Sequence, residues 1–379
     1  MHLVCEEPVL PYHRPPLSKA FLKSDSAAPQ MQRPATWLEE NGITVHRHDA
    51  VLGIDRQRKT VALRSGGELP YGHLVLATGA RPRELPGISP ALSNVAVLRT
   101  HEDALRVRAL MAGCTRLTIV GGGFIGLEVA ATARSLGKQV CVLEGASRLL
   151  ARAVSPEVSQ HLLQAHRANG VDMRVGVRID TPVALDGRLH SIQVDGEREP
   201  VDVLLLCVGA APETSLASAA GLHCDNGVVV DEHLVSSDPS ILAIGDCAAF
   251  PSTRDGQRLR LESVQNASDQ ARCAAATLLG ERRAYGALPW FWSDQGGVKL
   301  QIAGLLPEGT QRHVRPGPNG TSFSVLHYID CELAAVESIN ASQDHMAARQ
   351  LMEKGLHPEP SQACDPLRAL ASFAAARPA

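Results

Sequence analysis

Three glycines and one carboxylate give the first chemical reading of this chain. Leu117-Thr118-Ile119-Val120 leads into Gly121-Gly122-Gly123-Phe124-Ile125-Gly126; a helical stretch runs on to Leu136, and an apolar run at 139–143 ends at Glu144. A G-x-G-x-x-G between a strand and a helix, with an acid about 20 residues further on, is the pattern that receives a dinucleotide. Gly121 permits the tight turn, Gly123 lets a pyrophosphate reach the backbone, and Gly126 lets the helix lie close on the strand. The helix start, at Phe124 and Ile125, offers N–H groups and the positive end of a dipole to the phosphates. Glu144 is placed to accept the adenine-ribose hydroxyls and to repel a 2′-phosphate, which favours NADH. Arg148 and Arg152 follow closely, and either is able to compensate a phosphate, so NADPH stays open. A glycine turn that binds nothing would not need the whole strand–loop–helix–strand–acid order.

A second group of residues points to the same chemistry more weakly. Residues 241–244 form an apolar run ending at Gly245-Asp246, which puts a carboxylate at the mouth of a parallel sheet, where ligands bind. An Asp capping the next helix explains it equally well. Ala77-Thr78-Gly79 closes another apolar run with a small-residue turn where a cofactor is able to approach the backbone, and 204–208 ends likewise at Gly209. Lys19 ends a proline-rich segment, PYHRPPLSK, whose prolines stiffen the loop that carries it; alone it reads as a surface lysine. Glu128 lies among apolar neighbours in FIGLEVAATA, so it needs a partner or a ligand, since burying it alone is costly. Trp290 and Trp292 read equally as core aromatics or as a docking or electron-transfer pair.

The elements that position these residues suit an α/β protein of two or three domains. At 379 residues the chain exceeds one ordinary core. Only 3% is aromatic, so the apolar bulk is aliphatic, as buried parallel strands require. The net charge of −3 gives no basic excess for nucleic acid. No apolar run approaches the roughly 20 residues of a membrane span, and Glu6 and Glu7 interrupt the first apolar stretch, so no signal peptide is expected. None of the nine cysteines forms a C-x-x-C or C-x4-C pair, so no metal site is expected, and the cytoplasm is the simplest address. Further strands are read at 43–46, 51–54, 60–63, 73–78 and 117–120, with 81–83 as a linker. Alternating strands and helices continue to about residue 230, and a helix spans 262–279. The last part is read as a small α+β domain with strands at 299–302, 322–328 and 334–339 and a helix at 343–354.

In this order, PYHRPPLSK, LATGARPR, VGGGFIGLE, AIGDCA, ESVQNA and PWFWSDQ resemble the FAD-dependent ferredoxin reductases over nearly the whole chain. The resemblance implies two doubly wound Rossmann-like nucleotide-binding domains plus the small C-terminal domain. FAD would be held by 1–104 and 231–284, NADH by 105–230, and the C-terminal reductase domain would span 285–379. It implies that Lys19 lies beside the flavin ring and that Glu6, Arg14, Val51, residues 77–79, Arg99, Asp246 and Val264 contact FAD. Glu128 would approach the nicotinamide and Lys19, Trp292 the flavin edge facing the ferredoxin, and Arg272 the docking surface. The proposed cycle passes hydride from NADH to the flavin, which releases electrons singly to a [2Fe–2S] ferredoxin serving a P450 or a ring-hydroxylating dioxygenase.

The chain departs from that pattern at its start. The resemblance aligns residues 1–5 with the second strand of the FAD unit, and HLVCE repeats the role of VCVLE at 140–144. Set against the family pattern, the chain is therefore expected to lack a first strand, glycine loop and helix, roughly 30 residues, through a misassigned start or as a fragment, and FAD binding is the expectation this affects. No cysteine falls between Cys5 and Cys114, which argues against the disulfide- and peroxide-reducing branches. Two other readings stay open: a flavoprotein subunit linked to rubredoxin or nitrite reductase, and an NAD-binding remnant without flavin.

Overall fold

Apolar runs that end at glycine become short parallel strands, as their lack of polar alternation requires. A computed structural model describes residues 1–26, 28–253, 256–318 and 320–375; among them, no helix is long and apolar enough to cross a membrane. The chain divides into two units. Met1–Arg83, Arg99–Glu102 and Ala210–Ala287 make the first; Glu84–Leu98, Asp103–Gly209 and Leu288–Ala379 make the second.

In the first unit His2–Cys5 pairs in parallel with Thr44–Arg47, and Leu74–Leu76 with Ile241–Ala243. Leu76, Leu234, Ile241, Leu242 and Phe250 are buried at its core. Val51–Asp55, Thr60–Leu63 and Glu68–Pro70 form an antiparallel sheet, the first pair as expected from the charged turn between them. The helix expected at 262–279 spans Val264–Leu278 and is N-capped by Ser263, whose hydroxyl accepts from the Asn266 N–H. One expectation fails. Residues 81–83 are not a plain linker, because Ala80–Pro82 pairs antiparallel with Ala210–Pro212. Its prolines cost little, since this is a two-stranded ribbon with free edges.

The second unit carries a five-stranded parallel sheet in the order Asp172–Val175, Gln139–Glu144, Arg116–Val120, Val203–Leu206, Val95–Ala96. The expected alternation of strands and helices is broken here by an antiparallel sheet of Ile179–Leu185, Arg188–Val194 and Glu197–Pro200. Its turns are Asp186-Gly187 and Asp195-Gly196, with all four residues at positive φ. An Asp-Gly pair is the favoured two-residue hairpin turn.

The C-terminal residues of this unit form a five-stranded antiparallel sheet, Trp290–Gln295, Val298–Gly304, Glu332–Ile339, Phe323–Ile329 and Gln311–Pro316 in spatial order. The helix Ser342–Glu353 packs on it through Ala347, Ala348 and Leu351. This is the expected small α+β domain.

His345 on that helix is buried, and neither ring nitrogen has a hydrogen-bond partner among the described residues. Burial, and then the nearby Arg349 and Lys299 charges, push it down to about 4. The unfolded chain therefore takes up a proton that the fold refuses. Stability is fully present above pH 6.5 and falls as pH drops toward 4, by about 1.4 kcal/mol per unit at most. His345→Phe is expected to remove about 1.6 kcal/mol of the loss between pH 6.5 and 5. Urea melts of both proteins at the two pH values measure it; equal pH slopes would contradict it.

Candidate nucleotide-binding sites

The strand Arg116–Val120 delivers the chain to Gly121, and the helix Phe124–Ser135 leaves from Gly123. Gly121 has φ +110, and a Cβ there would stand 2.2 Å from the Cys207 carbonyl oxygen. A Cβ on Gly126 would stand 2.2 Å from the Gly121 oxygen. Both glycines are steric requirements of the turn itself. Gly123 is different: a Cβ on it would meet nothing within 4 Å. Open space at a helix N-terminus, beside N–H groups and a positive dipole end, is what a pyrophosphate needs. Phe124 is half-buried and Ile125 exposed on the first turn of the helix.

Glu144 stands at the tip of the neighbouring strand. Its Oε2 accepts from the Gly122 N–H at 2.6 Å and its Oε1 from the Ala146 N–H at 2.7 Å. The carboxylate is thus fixed at the loop, with lone pairs left for ribose hydroxyls. The guanidinium of Arg148 is engaged by the Val154 and Ala151 carbonyls, at 2.7 and 2.6 Å. Arg152 is exposed. Gly209, at φ +98, lies beyond the strand Val203–Leu206. These residues fit NAD(H).

In the first unit Lys19 follows a 3-10 turn, Pro15–Ser18, whose Leu17 and Ser18 are buried; its N–H donates to the Pro16 carbonyl at 3.0 Å. Arg14 donates to Glu7 and to the Arg99 carbonyl, each at 2.7 Å. Arg99 in turn donates to Asp246 at 2.8 Å. Gly79, at φ +71, makes room for this pair, since a Cβ there would stand 3.2 Å from the Arg99 guanidinium. Asp246 does not cap the short 3-10 turn Gly245–Cys247; it pairs with Arg99. The pair is partly open, with side-chain exposures of 28% and 15%, so a ligand hydroxyl can reach it. Thr78 donates to the Glu213 carbonyl at 2.6 Å, Ala77 is exposed and Val51 half-buried. Val264 starts its helix 42% exposed. This donor set fits a flavin nucleotide.

A family described as pyridine nucleotide-disulphide oxidoreductase matches residues 1–271. The chain belongs to that family. Its members work with FAD and NAD(P)H, and the chain is an oxidoreductase. A reductase C-terminal domain matches residues 290–374. Rhodocoxin reductase of Rhodococcus erythropolis is 43% identical over 96% of this chain and 86% of its own length. A ferredoxin reductase structure from Rhodopseudomonas palustris shares 42% identity with a TM-score of 0.95, covering 99% of this chain and 93% of its own. The covalent putidaredoxin reductase–putidaredoxin complex gives 38% and 0.93, covering 99% and 91%.

Glu6 is exposed and pairs with Arg64 at 2.7 Å. Its neighbour Glu7, which the sequence reading passed over, organises the start of the unit. It accepts from Tyr12 and from Arg14, each at 2.7 Å, and from the His101 N–H at 3.2 Å. Burial alone would raise the Glu7 carboxyl, but the Tyr12 hydroxyl, Arg14 and the His101 N–H hold it below its ordinary value. Burial and Glu7 in turn hold the Tyr12 phenol protonated.

In the second unit Glu128 is buried and accepts from the Ser293 hydroxyl at 2.7 Å. Trp292 stacks near Trp290 at 5.5 Å, and Arg349 lies over the Trp290 ring at 4.6 Å. Arg272, in the first unit, is 76% exposed and pairs with Asp269 at 2.5 Å. Ser293 and Gln295 lay unread inside PWFWSDQ. Their signal was the strand alternation, which sets them and Phe291 on the face opposite Trp290 and Trp292.

Proposed function

We propose that this chain passes electrons from NADH, through FAD, to a small [2Fe–2S] ferredoxin that feeds a P450 or a ring-hydroxylating dioxygenase. The observation that carries the reading is the 121–126 turn, with Glu144 pinned at its mouth by two backbone N–H groups, in a chain whose residues 290–374 match a reductase C-terminal domain. Bound FAD bridges a two-electron hydride donor and a one-electron carrier.

The chain's own residues bind and orient. Residues 105–230 hold NADH: Gly123, Phe124 and Ile125 face the pyrophosphate on the turn that Gly121 and Gly126 make possible, Glu144 faces the ribose, and Arg152 and Gly209 line the approach. Residues 1–104 and 231–284 hold FAD through Glu6, Arg14, Val51, residues 77–79, Arg99, Asp246 and Val264. Lys19 sets a cation beside the flavin from a stiff turn. Glu128 holds the nicotinamide carboxamide so that the transferred hydrogen faces the ring. Trp292, in the C-terminal domain at 285–379, and, separately, Arg272 are each assigned a contact with the ferredoxin. With no thiol between Cys5 and Cys114, electrons leave to an external acceptor. Nine free cysteines suit a reducing compartment, and we place the protein in the cytoplasm.

NADH-dependent bleaching of a [2Fe–2S] ferredoxin, run beside rubredoxin and beside NADPH, tests the proposal. Faster reduction of the ferredoxin, with NADH preferred, is the expected result. Reduction of rubredoxin alone, or of neither carrier, would overturn it.

A further inference from the structure

The helix Phe124–Ser135 and the strand Trp290–Gln295 meet in register. Phe124, Glu128 and Ala131 share one helix face, spaced by four and three residues. Phe291 and Ser293 share one strand face, which continues at Gln295. Four helix residues rise about 6 Å and two strand residues about 6.8 Å, so the Phe124–Glu128 spacing matches the Phe291–Ser293 spacing. The Phe124 and Phe291 ring centroids lie 4.4 Å apart. Ser293 donates to Glu128 at 2.7 Å. Beyond the strand, a Cβ on Gly296 would lie 3.1 Å from the Ala131 Cβ.

From Glu128 the polar contacts run on. Gln295 Nε2 donates to Ser293 Oγ at 3.1 Å, and Gln295 Oε1 lies 3.0 Å from His166 Nε2. Glu128, Ser293, Gln295 and His166 are all buried. The direction of this chain follows from proton counting. Ser293 has one hydroxyl proton and gives it to the carboxylate, so its oxygen accepts from the Gln295 amide. The Gln295 oxygen then faces His166, which must carry its proton on Nε2. Burial lowers the His166 pKa, with Gln295 partly opposing, which suits this neutral form. Every link donates toward Glu128, and links pointing one way reinforce each other.

We propose that Ser293, Gln295 and His166 are positioning residues, a one-way hydrogen-bond relay that fixes the Glu128 carboxylate plane for the nicotinamide end of NADH. This rests on the reading of Glu128 as the nicotinamide-facing acid. The relay ties the reacting end of the coenzyme to the C-terminal domain and to the helix Pro156–Ala168, and it is separate from the phosphate turn.

The test uses two ligands on the purified chain, NADH and ADP-ribose, which shares the phosphates and both riboses but lacks the nicotinamide. Ser293→Ala is expected to weaken NADH binding about tenfold, the scale of one hydrogen bond to a charged group. ADP-ribose binding should stay unchanged, with KM for NADH raised and Ser293→Thr restoring both. Gln295→Met cuts the relay one link earlier and is expected to act in the same direction. Equal affinities in Ser293→Ala and wild type, or parallel loss of both ligands, overturns the relay. Glu128→Gln separates the two layers. If it changes the NADH to ADP-ribose ratio while Ser293→Ala does not, only the relay fails. If Glu128→Gln leaves the ratio untouched, the underlying role of Glu128 fails and the relay with it.

Discussion

Gly126→Ala is expected to lower NADH affinity at least a hundredfold, whereas Gly123→Ala should leave the fold intact and lower affinity for a different reason. At Gly126 the new Cβ would lie 2.2 Å from the Gly121 oxygen, with Ile119 Cγ2 at 3.3 Å and Cys207 Cβ at 3.4 Å. The nearest atom is backbone of the phosphate turn, so the helix must retreat by roughly 1 Å and take its N–H groups with it. Interiors packed to crystal-like density have no room for that without strain. At Gly123 the Cβ meets nothing within 4 Å, so the unliganded protein keeps its melting temperature. The methyl then occupies the space through which a pyrophosphate approaches. Thermal melts and NADH titrations of the two variants make the comparison. A Gly126→Ala protein with normal affinity would contradict the steric role, and a Gly123→Ala protein with normal affinity would contradict the phosphate role.

Glu337→Leu is expected to destabilise the second unit by about 2–6 kcal/mol, since two buried groups lose their acceptor at roughly 1–3 kcal/mol each. Glu337 is fully buried on the strand Glu332–Ile339. Its Oε2 lies 2.8 Å from His327 Nε2, and its Oε1 accepts from the Ser155 N–H at 2.9 Å. His327 Nδ1 is 3.1 Å from Thr310 Oγ1, so the imidazole is held at both nitrogens. Leucine would leave the imidazole nitrogen and the Ser155 N–H buried and unpaired. Ser155 also caps the helix Pro156–Ala168, so the damage reaches His166 on that helix. Glu337→Gln retains an acceptor for the Ser155 N–H and should cost about half as much. Denaturant unfolding followed for this unit measures both; a loss under about 1 kcal/mol in Glu337→Leu would contradict the account of two buried groups losing their acceptor.

What the sequence made legible was whatever local sterics demand. Gly121 is required by its own positive φ and Gly126 by the Gly121 carbonyl oxygen within the same strand–turn–helix unit, so their spacing announces the turn. The strands ending at Glu144 and Asp246 were readable because buried parallel strands are short apolar runs with abrupt ends. Residues 81–83 were misread because strand pairing is non-local: Ala80–Pro82 finds its partner at Ala210–Pro212, and prolines hide the extended conformation. The antiparallel insertion at 179–200 announced itself through two Asp-Gly pairs whose turn chemistry went unread. Glu6 and Glu7 are adjacent acids after one strand, and only the Tyr12, Arg14 and His101 contacts show which of them turns inward. Strand alternation gave the face of Ser293 but not its partner. Its partner Glu128 is 165 residues away, and no pattern within one strand reveals that.

The most direct test is an anaerobic titration of the purified chain with NADH, followed in the visible range before and after a [2Fe–2S] ferredoxin is added. Yellow protein whose absorption bleaches with about one NADH per flavin, then recovers as the ferredoxin is reduced, is the expected result. Colourless protein that still binds NADH, or a bleached flavin that gives nothing to the ferredoxin, would contradict it.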